Sequence, residues 1–279
     1  MNEITQFTNL DIQKNDQSDK IIALVVSPNV GENIASNAPE RFTNENQNYR
    51  LVNLPSTDSF MMHSAEGNAA RDFICFGGAD AVIVVCDAVW LERDMNFALQ
   101  TLEITPHMVV CVSAIEKARK KHIQIDCDQL AKCLSVPVVA TNARSGKEFL
   151  LLMEKTATVI KKELQTHPPA IRYIRPIEKA ISILEPTVRA RIGNKLNSRW
   201  TALKLIDYDT AFTAALNQYL NCDMLPDTEM SQKIFEAQKY LADCGIFGDA
   251  LHDNIASCIV LMAEGICNDC VFFSKAARI

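Results

Sequence analysis

The sequence predicts an α/β fold, a mostly parallel sheet interleaved with helices, followed by an all-helical domain. Three observations predict it. Short apolar runs at residues 21–26, 80–87, 108–112 and 136–140 alternate with segments carrying apolar residues at helical spacing, the pattern of buried parallel strands joined by crossover helices. The first run leads into a short Ser27-Pro28-Asn29-Val30-Gly31 turn, as a buried first strand leads into a phosphate-binding loop. After His167-Pro168-Pro169 the apolar stripes have the 3.6-residue period and nothing reads as a strand.

Composition narrows the function classes. With 279 residues, 48% of them hydrophobic and 22% charged, the chain can bury one large core or two ordinary ones. A net charge of −6 argues against a nucleic-acid partner, because phosphate contacts need a basic face. No uninterrupted apolar run is long enough for a membrane span; the nearest, 255–273, is broken by Glu264, Asn268 and Asp269. The N-terminus is polar from the start, so no secretory signal is expected. Ten cysteines scattered through strand-like and helical runs read as reduced thiols rather than a disulfide scaffold.

Taken in order, residues 1–20 are polar and read as a flexible arm. Residues 21–26 form the first strand, and 32–49 are polar without a helical stripe, a poor candidate for the helix that normally follows a phosphate loop. A short strand is expected over 50–54 and a helix over 66–76 that stops at Gly77-Gly78. Residues 80–87 (DAVIVVCD) are the clearest buried strand, and the next helix places Leu91, Met95, Ala98, Leu99 and Leu102 on one face. A strand at 108–112, a basic helix or turn at 116–121, a short helix from Asp126 to about Leu134 and a strand at 136–140 follow. Ser145 is placed to cap a long helix bearing Phe149, Leu152, Met153, Thr156, Val159 and Ile160, which His167-Pro168-Pro169 ends. The expected domains are a flexible arm over 1–20, a GTPase-like domain over 21–166 and a helical domain of about five helices over 170–279. In such a sheet the loops 27–33, 53–58, 113–116 and 141–144 all follow strands, so they gather at one edge, where ligands bind.

Four stretches, in order, resemble the cytosolic part of the ferrous iron transport protein B (FeoB) family, bacterial membrane proteins with an N-terminal G-protein domain. They are Ala70-Arg71-Asp72-Phe73; Cys86-Asp87-Ala88 with Leu91-Glu92-Arg93 and Ala98-Leu99-Gln100; His122-Ile123-Gln124-Ile125-Asp126 through Leu130 with Val136-Pro137-Val138-Val139; and Arg199-Trp200-Thr201-Ala202-Leu203-Lys204-Leu205. The resemblance runs from about Ile21 to the C-terminus and implies a P-loop GTPase-like α/β domain followed by an all-helical domain.

Carried over position by position, the nucleotide motifs are degenerate. In the frame G-x-x-x-x-G-K-[ST], Val26 replaces the first glycine, Gly31 survives beside Asn29, Glu32 replaces the lysine and Asn33 the magnesium-binding hydroxyl. A carboxylate for an ammonium reverses a phosphate contact worth roughly 4 kcal/mol per charge pair at about 4 Å. The swing, roughly twice that before screening and any protonation of Glu32, rivals the roughly 8 kcal/mol of micromolar binding. The D-x-x-G motif falls on Asn53-Leu54-Pro55-Ser56, the guanine-reading N-x-x-D on Ser113-Ala114-Ile115-Glu116, and the last base-contacting pair on Asn142-Ala143. The span from Gly31 to Asn53 is too short for the family's first helix, its switch loop and a second strand, and the switch threonine has no counterpart.

Other residues are weighed on their own chemistry. Cys267 and Cys270, with Cys258 nine residues earlier, are weak candidates for a metal; a lone C-x-x-C on a helix offers two soft ligands where four are usual, so apolar packing is favoured. Asp87 reads as a helix cap, 117–121 as a solvated face, and the five histidines are far apart. The resemblance implies the cytosolic G-protein-like region of an iron(II) transporter, on the cytoplasmic face of a bacterial inner membrane, with the membrane permease domain or subunit as partner. Homo-oligomerisation is left open. The degenerate motifs point to a regulatory or scaffold pseudo-GTPase with no catalytic residue and no cofactor; GTP, GDP and magnesium enter only if the altered site still binds. The alternatives are a divergent GTP hydrolase and a cysteine-based metal sensor.

Overall fold

The computed structural model describes residues 19–28, 30, 39–57, 59–61, 64–142, 146–164, 166–221 and 228–273. The expected arm, save Asp19 and Lys20, and the helix cap assigned to Ser145 lie outside them. The chain divides into two compact units, one of Met1–Leu102, Pro106–Pro169 and Met262–Ile279, the other of Glu103–Thr105 and Ala170–Leu261.

The first unit is built on a six-stranded sheet of order β2-β3-β1-β4-β5-β7, from β1 (Lys20–Val26), β2 (Arg41–Asn44), β3 (Gln47–Asn53), β4 (Ala81–Asp87), β5 (Met108–Ser113) and β7 (Val138–Ala140). Strands β3, β1, β4, β5 and β7 run parallel, and only the edge strand β2 is antiparallel to its neighbour. The mostly parallel G-domain-type sheet is thus as predicted. All residues of β4 and β5 are buried, which is why they read as unbroken apolar runs. One face, with Leu24, Val26, Ile83, Val85, Val109 and Cys111, packs on Leu152, Met153, Ala157 and Val159 of α5 (Gly146–Ile160). The remaining helices of this unit are α1 (Ala65–Phe76), α2 (Leu91–Ile104), α3 (Ile115–Lys120) and α4 (Cys127–Leu134). Asp126 caps α4 by accepting from the Gln129 N–H at 2.9 Å.

Three expectations are corrected here. The short strand expected at 50–54 spans Gln47–Asn53 and is the second arm of a hairpin whose first arm, β2, was not expected. Its two-residue turn, Glu45-Asn46, has φ of 45° and 67°, the left-handed pair that matches hairpin twist. Phe42 and Tyr49 pair across it, while Thr43 donates to the Asn48 carboxamide at 2.9 Å. The long helix α5 ends at Ile160, before His167-Pro168-Pro169, and Lys162 turns the chain with φ 58°. Lastly, the C-terminal region is not helical throughout. Strand β8 (Val271–Phe273) pairs antiparallel with β6 (Ile123–Ile125), and residues 262–273 belong to the first unit.

In the second unit, α6 (Arg175–Ile192) buries Ile177, Ile181, Leu184 and Val188 along one stripe. It is followed by α7 (Ser198–Ile206), α8 (Thr210–Leu220), α9 (Thr228–Asp243) and α10 (Asp249–Cys270), whose last residues return to the first unit. Asn197 caps α7 and Asp209 caps α8, each side chain accepting a main-chain N–H of the first turn. Trp200 meets the Phe212 ring edge-on at 4.9 Å in the interior of this unit.

Candidate functional site

Parallel pairing brings the carboxyl ends of β1, β3, β4, β5 and β7 to one edge of the sheet. The expected loops begin there. β1 ends at Val26, and Ser27 is held from two sides: its N–H donates to the Val85 carbonyl at 3.1 Å, its hydroxyl to Asp94 Oδ1 at 2.7 Å. The other oxygen of Asp94 accepts the Asp87 N–H at 2.8 Å, and the Arg93 guanidinium lies 2.9 Å from Oδ1. Asp94 is buried, so its charge is met by three donors rather than by water. Val30 turns back and joins the sheet core, its N–H donating to the Ser27 carbonyl at 3.0 Å. Asn29, Gly31, Glu32 and Asn33 lie outside the described residues.

At the end of β4, Asp87 Oδ1 accepts the Val89 N–H at 2.7 Å; because the helix α2 begins only at Leu91, Asp87 closes the turn before it and is not the helix cap expected. Lys117 reaches within 3.8 Å of the other oxygen. At the end of β5, Ser113 is buried and its hydroxyl donates to the Cys86 carbonyl at 3.0 Å. Ala114 follows with φ 59°. Glu116, exposed, donates its N–H to the Asn142 carboxamide at 3.2 Å, and the Asn142 N–H donates to the Glu148 carboxylate. Asn53 and Ser56 are exposed at the end of β3; Ala143 lies outside the described residues.

The structure therefore brings Ser113, Glu116 and Asn142 together and spends Ser113 Oγ and Asn142 Oδ1 on the protein's own main chain. A guanine base needs a carboxamide and a carboxylate turned outward at those strand ends; of the described positions only Glu116 offers an outward acid. Asp94 was not legible as a site residue: in sequence it is one acid in a helix's first turn, favoured there by the dipole alone.

The cysteine candidates separate. Cys258 falls in the second unit, Cys267 and Cys270 in the first. Burial pushes the thiols of Cys267 and Cys270 up to about 12, and Cys133 beside Cys270 adds to its shift. Among the described residues no group of three or more His, Cys, Asp or Glu is placed to hold a metal ion. Cys267 instead lines a cavity of about 340 Å³ with Trp90, Glu92, Val271 and Phe273.

Comparison with known proteins agrees with this architecture. Residues 31–156 match the family model for ferrous iron transport protein B, and 173–272 the model for the FeoB cytosolic helical domain. The Fe(2+) transporter FeoB of Escherichia coli K12 is 26% identical over 191 residues, covering 65% of this chain and 24% of that protein. The Shigella flexneri protein is 26% identical over 194 residues, 66% of this chain and 24% of its own length. The chain thus spans about a quarter of the curated relatives it matches. Among solved structures, the apo cytosolic domain of the T. maritima FeoB iron transporter superposes with TM-score 0.69 at 25% identity, covering 91% of this chain and all of that one. The same T. maritima domain in a GDP form gives 0.67 at 24% identity over 91% of this chain. The chain belongs to the ferrous iron transport protein B family, as the family's cytosolic G-domain and helical-domain region.

Proposed function

We propose that this region is a pseudo-GTPase, a regulatory or scaffold module for iron(II) transport that acts on a membrane permease domain or subunit from the cytoplasmic face. The observation that carries the reading is the state of the base-reading strand end. Ser113 stands where the family has the guanine-reading asparagine, and its hydroxyl is buried against the Cys86 carbonyl. The sequence adds Glu32 in place of the phosphate-binding lysine and Asn33 in place of the magnesium-binding hydroxyl. One changed motif leaves a weakened site, but a carboxylate at the phosphates together with a lost base contact removes both halves of nucleotide recognition.

The test is calorimetric titration of GDP and GTP into the purified chain, with and without magnesium. No heat and no thermal stabilisation at about millimolar nucleotide is the expected result; at saturating ligand a true site would stabilise by RT ln(1 + [L]/Kd). Micromolar binding would overturn the reading in favour of the alternative, a divergent GTP-binding protein or hydrolase; the T. maritima relative is known in GDP and GMPPNP forms. In that event Glu32→Lys would tighten binding if the loop still cradles phosphate.

A further inference from the structure

Cys133, in the last turn of α4, and Cys270, the last residue of α10, bring their sulfurs to 3.9 Å across a sequence separation of 137 residues. The Cys270 thiol donates to Cys133 Sγ, and the Gln129 side-chain amide donates to the same sulfur at 3.7 Å. The two donors converge on one sulfur and hold it facing Cys270. Cys133 is partly open to solvent, whereas Cys270 is fully buried. The main chain fixes the approach: the Asp126 N–H donates to the Cys270 carbonyl at 2.8 Å, and the next residues, β8, pair with β6.

We propose that Cys133 and Cys270 are a redox-active dithiol oxidised by small disulfides of the glutathione class, with Cys133 the attacking thiolate and Cys270 the resolving thiol. The Cys133 thiolate attacks one sulfur of the small disulfide, forming a mixed disulfide and expelling one thiolate, which takes up the proton Cys133 gave to solvent. Cys270 then attacks Cys133 Sγ, forming the protein disulfide and expelling the second small thiolate, which takes the Cys270 proton. The protein gives up two electrons and two protons, and the small disulfide becomes two thiols. Burial keeps Cys270 protonated, its pKa near 12, until that leaving thiolate stands beside it. A disulfide bond is about 2.05 Å long, so the sulfurs need close by only about 2 Å. Cys267, three residues earlier on α10, lines the cavity beside Trp90 instead.

The cross-link ties the end of α4 to the end of α10 beside the β6–β8 pair, so oxidation holds β8 in place. In a reducing compartment such a bond is transient and reports redox poise. The proposal is independent of the nucleotide-site reading.

The experiment equilibrates the full chain with graded ratios of oxidised to reduced glutathione, quenches in acid, alkylates the remaining thiols and maps the peptides by mass spectrometry. The expected product is a Cys133–Cys270 cross-linked peptide, with amide exchange in residues 271–273 slowed several-fold in the oxidised chain. Cys270→Ser should stop at a glutathione adduct on Cys133, and Cys133→Ser should leave Cys270 unmodified. A persistent adduct on Cys133 in the unsubstituted chain, or a cross-link between other cysteines, would overturn the proposal. So would modification of Cys270 in Cys133→Ser. Mapping the unsubstituted chain needs no variant, so a misfolded serine mutant does not shield the idea.

Discussion

Glu103, at the end of α2, makes the stability of the second unit depend on pH. The Tyr173 phenol donates to Glu103 Oε2 at 2.7 Å. Burial raises the Glu103 carboxyl from 4.5 to about 7, against the opposing pull of the Tyr173 hydrogen bond and the positive charges of Arg199 and Lys204; Glu178 adds to the rise. The Tyr173 phenol is pushed far up by burial and by Glu103, so it remains a donor throughout. Because the folded state holds the proton more tightly than the unfolded chain, this contribution is complete below about pH 4.5 and is lost as pH rises through about 7. The full shift corresponds to about 3 kcal/mol. Glu103 keeps some contact with solvent, which reduces the expected loss to about 1–2 kcal/mol. Glu103→Gln keeps an acceptor for Tyr173 and removes the titration.

The assay is urea unfolding between about pH 5 and pH 9, followed by the fluorescence of Trp200, which is buried against Phe212. Trp90→Phe removes the only other tryptophan and is carried in both chains. The parent should lose about 1–2 kcal/mol across this range, the glutamine variant should stay nearly flat, and the two curves should cross so that the variant is the more stable above neutrality. Equal pH slopes in parent and variant would refute the assignment.

Two further substitutions test the anchors of each unit. Asp94→Ala removes the acceptor of the Ser27 hydroxyl and of the Asp87 N–H in a buried setting and should cost about 3 kcal/mol, read from the urea midpoint with Trp90 as probe. Arg199→Lys breaks a forked pair with Glu178, at 2.7 and 2.8 Å, and a bond to the Ile171 carbonyl at 2.9 Å. An ammonium cannot span those acceptors, so a loss of about 1–2 kcal/mol in the Trp200 transition is expected, and an unchanged midpoint would remove the claim.

What could be read from the residues depended on whether the informative partner was local. β4 and β5 were legible because strands buried on both faces read as continuous apolar runs, with polar residues only at their ends, Asp87 and Ser113. The Asp126 cap was legible because its acceptor lies three residues from its donor. The β2–β3 hairpin was missed because an edge pair turns half its side chains outward, and its asparagines mask the Phe42–Tyr49 contact. β6 and β8 are three residues each and gain definition only from one another, far apart in sequence. At the site, strand ends located Ser113, Glu116 and Asn142, but no spacing marks Asp94, whose role is set by what faces it in space.

That last difference explains how a phosphate-loop fold keeps its shape when the motifs change. In a nucleotide domain the ligand's phosphates satisfy loop amides and cations at the strand ends. Here the protein supplies anions itself: Asp94 takes the Ser27 hydroxyl, the Arg93 guanidinium and the Asp87 N–H, and Glu148 takes the Asn142 N–H. The Asn142 carboxamide in turn takes the Glu116 N–H, and Ser113 bonds the Cys86 carbonyl. Among the described residues, these strand-end donors meet protein acceptors and need no ligand to avoid burial unpaired. On the proposed reading, selection for nucleotide contacts could lapse at Glu32, Asn33 and Ser113 while the sheet, whose stability rests on the core of β1, β4, β5 and α5, stayed intact. The same logic makes Asp94 the anchor of this edge: Asp94→Ala removes the acceptor shared by the Ser27 hydroxyl, the Arg93 guanidinium and the Asp87 N–H.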